Sequence, residues 1–201
     1  MELTEEIHRH LPTYLNPEDR KNLFDEIKSF PSNIDSRIYS SHPSLSKDII
    51  YQGDIIANQP FILLPENNLK NSQVLVISNT CDIDLSNNNI KSPRVVYCPI
   101  ISFSNYKNLV YKSYEKEQSA NDHLNSVRKQ EITDMFYLPE HGDIKESIVL
   151  FDAANNYRME PSQAKEMLEN RITSLGNYGF MLFIVKLSIH FTRIEEGVNR
   201  G

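Results

Sequence analysis

One stretch constrains this chain more than any other: Val74-Leu75-Val76-Ile77-Ser78-Asn79-Thr80-Cys81-Asp82-Ile83-Asp84. Its first half is apolar and largely β-branched, which reads as a buried strand. Its second half turns abruptly to small polar residues and two acids. A strand that ends in Asn-Thr-Cys-Asp delivers polar side chains to the rim of a sheet, where rigid scaffolds hold working groups. Thr80 and Asp82 are therefore the first candidates for chemistry, able to hold a phosphate-bound water, a small cation or a base edge. The bland alternative is an Asx-type turn in which Asn79, Thr80 and Asp82 bond their own backbone and Cys81 is small buried filler. Asp82 and Asp84 are too few carboxylates for a metal site without a third ligand.

Strand-like runs surround this stretch. Ile49 to Ile56 places Gly53-Asp54 inside a β-branched run, predicting a bulge or a tight lead-in to a barrel strand. Phe61 to Leu64 continues as strand, and Pro65 to Asn71 is a polar hairpin loop. After Asn87-Asn88-Asn89 comes the strand Arg94 to Ser102. Met135 to Leu138 and Ser147 to Phe151 return to strand character, and Arg171-Ile172-Thr173 is a further short one. Pro161 opens a short helix through Leu168.

Three segments lie outside this rhythm. Residues 1–48 read as a helical and then irregular appendage: Asn16 caps, Pro17 takes the first position, and Leu23, Phe24, Ile27 and Phe30 share a face. Residues 103–133 form a polar insertion that reads as a solvated, mobile loop. Ser174 is expected to cap a long C-terminal helix over 174–194, apolar on nearly every side. Such a helix is buried within a monomer or between two copies, which makes a homodimer through it one expected assembly.

Composition narrows the class. With 201 residues, 39% hydrophobic and 24% charged, the chain can bury a sizeable core. A net charge of −6 argues against a surface that coats nucleic acid generally. Cys81 and Cys98 make neither a disulfide framework nor a zinc site, and no cofactor is expected. The acidic N-terminus lacks a signal-peptide core, and Phe180 to Val185 is too short to span a bilayer. A cytoplasmic protein with no membrane partner is expected.

Read in order, Gly53-Asp54-Ile55, Val74 to Asn79, Val95-Val96-Tyr97-Cys98-Pro99-Ile100, Glu146 to Leu150 and Asn170 to Leu175 resemble the PemK/MazF toxin family. The likeness covers roughly Tyr51 to Arg193, interrupted by the insertion. It implies an α+β fold: a small SH3-like β-barrel over 49–201 with a closing helix, in a bacterial toxin–antitoxin or antiphage system. It also implies metal-independent cleavage of single-stranded RNA, in which the 2′-hydroxyl attacks phosphorus while an Arg and a Thr or Ser hold the phosphate. This sequence departs from that pattern at both positions. Ser72-Gln73 stands where the family's Arg-Pro pair belongs, and Ile101 where its Thr belongs. Ser102 is one residue on, and so faces the other side of the strand.

Two functions follow as expectations. One is a module that has lost catalysis and binds a protein partner, an antitoxin or another component of a defence operon. The other is a ribonuclease with relocated groups. His123 and Arg128 in the insertion would then join Thr80 and Asp82 as catalytic residues, with Tyr111, Tyr114 and Lys129 stacking bases and meeting phosphates.

Overall fold

The computed structural model describes residues 18, 21–23, 25, 30–32, 34–40, 45–87 and 92–192. The helix expected after Pro17 lies largely outside these residues, as do His8, His10 and His42. Leu23 is described and is buried in the core.

Seven strands among the described residues form one antiparallel sheet: β1 (Asp54–Phe61), β2 (Lys70–Val76), β3 (Arg94–Ser102), β4 (Met135–Leu138), β5 (Ser147–Leu150), β6 (Asn155–Arg158) and β7 (Arg171–Ser174). Their order is β4-β5-β3-β2-β1-β7, with β6 also on β3. β3 is the hub. One edge carries β2, pairing Val74 with Pro99 and Leu75 with Cys98. The other edge is shared, Arg94–Tyr97 pairing with β6 and Ile100–Ser102 with β5. Pro99 sits at the gap between these two partners. The Val96 carbonyl accepts the N–H groups of Ile77 and Ser78, so alternation turns the Pro99 nitrogen to the opposite edge. No strand stands there to miss an N–H.

Both faces of the sheet are covered, which is why its strands read as continuous apolar runs and not as clean alternation. Five helices do much of the covering: α1 (Thr80–Ile83), α2 (Phe103–Ser113), α3 (Glu117–Arg128), α4 (Pro161–Glu169) and α5 (Asn177–Thr192). On one face Ile55, Leu75, Cys98, Ile100, Phe136 and Val149 pack under Tyr178, Met181, Leu182 and Phe183 of α5. On the other, Ile56, Val74, Val76, Val95 and Tyr97 meet Ile83 of α1 and Ala164 and Met167 of α4. Further along that face Tyr137 and Ile148 meet Phe103, Val110, Leu124 and Val127 of α2 and α3.

That last contact corrects the reading of residues 103–133 as a solvated loop. They form a helical hairpin, because Phe103 and Val110, then Ala120, Leu124 and Val127, recur at helical spacing and are buried. Other expectations shift as well. Gly53 (φ +90°) makes the tight lead-in to β1, the β1–β7 ladder slips between Ile55 and Ile56, and the β1–β2 ladder slips between Ile56 and Gln59, where Asn58 has φ +56°. Strand character ends at Phe61, not Leu64. Ser174 does not cap the C-terminal helix. It ends β7, buried, and donates its hydroxyl to Asp54. α4 starts as expected, with Pro161 in its first turn and Glu160 and Gln163 forming a capping box.

The sheet curls into a half-barrel. The far end of β1 approaches β6, and side chains span the gap: Asn155 bonds both main-chain groups of Ile62, Tyr157 Oη donates to Gln59 Oε1, and Tyr97 Oη to the Pro60 carbonyl. No helix among the described residues is long and apolar enough to cross a membrane.

Candidate functional site

At the end of β2 the chain turns through α1, and most of its polar side chains there bond backbone. Asn79 Oδ1 accepts the Cys81 N–H at 2.9 Å, capping the short helix. Thr80 Oγ1 accepts the Gln52 N–H at 3.0 Å, tying α1 to the turn before β1. Asp84 Oδ1 accepts the Ser86 N–H at 2.8 Å, and that bond holds its carboxyl below the usual carboxylate range. Asp82 is exposed. Cys81 is exposed too, and so is not buried filler. The turn aims Cys81 outward because Ile83 fills the inward position.

Beside this turn lies a cleft of about 100 Å³ between α1, α4 and the segment before β1. Its buried lining is Ile50, Ile83, Met159 and Ala164, while Ile49 and Leu85 line it with 40% of their surface exposed. Thr80, Asp48 and Asp84 supply its polar atoms. Two carboxylates beside apolar walls suit a cation carried on an aliphatic stem, not a phosphate.

The other candidates sit on the helical hairpin, each tied to a neighbour. His123 Nε2 lies 2.7 Å from Tyr106 Oη, and its ring centroid is 5.7 Å from that of Tyr114. Tyr111 Oη donates to Asn121 Oδ1 at 2.5 Å. Arg128 Nε donates to Glu146 Oε1 at 2.8 Å, and its guanidinium lies 4.5 Å from the centre of the Phe103 ring. Tyr137 Oη donates to the same Glu146 oxygen at 2.7 Å. Burial opposes ionisation of Glu146, yet the bonds from Arg128 and Tyr137 prevail and lower its carboxyl. Lys129 follows the helix and is exposed.

These two groups of candidates do not come together. Ile77 and Ser78, which lead to Thr80 and Asp82, bond Val96 near the start of β3. Arg128 bonds Glu146, whose carbonyl accepts the Phe103 N–H just past the end of β3. Six residues of extended strand separate Val96 from Ser102, about 20 Å. Where the toxin resemblance would put Arg and Thr, Ser72 Oγ bonds the Ile100 carbonyl and Ile101 packs against the hairpin core. Among the described residues no three His, Cys, Asp or Glu groups gather as a metal site requires.

No protein-family model matches the chain, and no curated protein matches its sequence.

Among the described residues, two buried acidic or basic side chains escaped the sequence reading. Asp54 is fully buried and bonds Ser174 Oγ, the Tyr51 N–H at 2.9 Å and Arg171 Nη1 at 3.2 Å. Burial raises its carboxyl against those bonds. The Gly53-Asp54 pair was the only local sign of it. Lys186 of α5 is 7% exposed and donates to the carbonyls of Gln130 (2.8 Å) and Ile132 (2.7 Å). Burial pulls its ammonium down to about 7. A lone lysine within an apolar helix was the available signal.

Proposed function

We propose that this chain is a PemK/MazF-like, SH3-like barrel protein of a bacterial toxin–antitoxin or antiphage defence system that works by binding a protein partner, the usual ribonuclease groups being lost. The order of its motifs supports the family. One observation supports binding over cutting: the rim of β2 opens onto an apolar cleft edged by Asp48 and Asp84. A ribonuclease working at this rim, where Thr80 and Asp82 lie, would need donors to a developing phosphorane charge, and two carboxylates repel it. Exposed Ile189 and Phe191 at the end of α5 offer a surface for a homodimer.

The alternative, a metal-independent endoribonuclease with relocated groups, is favoured by the imidazole of His123, which Tyr106 fixes in orientation beside Tyr114 on the hairpin surface. Purified protein incubated with a panel of single-stranded RNAs in EDTA separates the two. The binding reading expects no cyclic-phosphate product and a partner retained on native purification. Cleavage that disappears in His123→Ala would overturn it.

A further inference from the structure

The cleft beside α1 is too small for a metabolite or nucleotide. Small-molecule sites run to roughly 300–1,000 Å³, against about 100 Å³ here. That space matches one side chain. Its lining is apolar apart from Thr80, Asp48 and Asp84, and none of its lining residues is basic. Ile49 and Leu85 keep 40% of their surface exposed beside it, an apolar margin that a partner's backbone would cover. Thr80 Oγ1 and one oxygen of Asp84 already accept backbone N–H groups, so the site is held in place before anything binds.

From these features we infer that the cleft receives a single aliphatic or methionine side chain of a partner protein, on a segment whose flanking lysine or arginine residues meet Asp48 and Asp84. The inference rests on the partner-binding function proposed above and specifies its contact. The apolar anchor supplies affinity by filling a desolvated pocket. The flanking cations supply orientation and rate, their aliphatic stems lying along Ile49 and Leu85. An acidic segment is refused at the same rim.

The test uses the full chain and a displayed library of random dodecapeptides selected on the wild type, the enriched peptides then being assayed on Leu85→Glu. Enriched peptides are expected to carry an aliphatic residue or methionine between basic residues. They should shift the methyl resonances of Ile49, Ile83 and Met159 saturably. Asp48→Asn combined with Asp84→Asn should weaken them roughly fivefold and flatten their salt dependence. Both positions are polar and solvent-facing, and Asn at 84 keeps an acceptor for Ser86, so the variant retains its fold. The inference is overturned if no peptide is enriched, if the flanks are acidic, or if binding survives Leu85→Glu. A partner that co-purifies under native expression and stays bound to Leu85→Glu overturns the cleft contact alone. Protein that carries no partner and cuts RNA overturns the partner-binding function and this inference with it.

Discussion

The side-chain amide of Asn155 holds both main-chain groups of Ile62: Oδ1 accepts its N–H at 3.0 Å and Nδ2 donates to its carbonyl at 3.1 Å. One side chain thus does at the curled seam what a strand residue does in a ladder. Gln130 repeats the device on β4, where its amide takes the N–H and carbonyl of Tyr137 at 3.0 and 2.7 Å. Side chains thereby occupy edge groups that would otherwise be open to another strand.

Asn155→Ala should destabilise the protein by about 1–3 kcal/mol, since it strands two main-chain groups of a half-buried residue. Urea denaturation measures the loss. Native-state hydrogen exchange should show the Ile62 amide opening well before the global transition. Asn155→Asp keeps the acceptor but sets a carboxylate oxygen against the Ile62 and Ala153 carbonyls, so it should not rescue the loss.

Gly179 allows α5 to dock. An added Cβ would stand 2.1 Å from the Ile38 carbonyl oxygen, a backbone atom that cannot swing aside. Gly179→Ala is expected to cost at least 1–3 kcal/mol, lowering the thermal midpoint. At Gly142 an added Cβ meets no atom within 4 Å, so Gly142→Ala should cost only the strain of its φ of +56°.

Lys186 sets a pH dependence. Its folded value of about 7 lies below the usual 10.5, so between those values the unfolded chain binds more protons than the folded one. Stability from this group is therefore present above 10.5 and is lost as pH falls toward 7. Relative to Lys186→Met, the wild type should gain on the order of 2 kcal/mol from pH 7 to pH 9. Denaturation curves at several pH values for both proteins test it, and a pH-independent difference would refute it.

Arg128 is predicted to act in structure through Glu146 and Phe103. Both members of the ion pair are a third or more exposed, so solvent screening limits their coupling to about 0.5–1 kcal/mol. A double-mutant cycle of Arg128→Ala with Glu146→Gln measures that coupling. Leaving Tyr137 Oη bonded to an unpaired Glu146 should make the single Arg128 change costlier than the double change.

Much of the sheet was legible from local pattern. The run Arg94 to Ser102 is β3 over the same residues, and Pro161 opens α4 as read. β6 was not visible: Asn-Asn-Tyr-Arg is polar, and it forms a strand because β3 offers it an edge, Tyr157 finds a partner on β1 and Asn155 one just past its end. The hairpin of α2 and α3 was masked by its many charges, although its buried residues recur at helical spacing.

Sequence alone settled which segments are apolar enough to be strands, because burial follows hydrophobic content and its period. Only the tertiary structure decided what each polar candidate does. Arg128 meets Glu146, Thr80 meets Gln52 and Asp54 meets Ser174. Such partners are chosen by strand register across distances of 18, 28 and 120 residues, and no local pattern encodes that register. The candidates from the two ends of β3 were separated for the same reason: an extended strand is stiff, and whatever it joins it also holds apart.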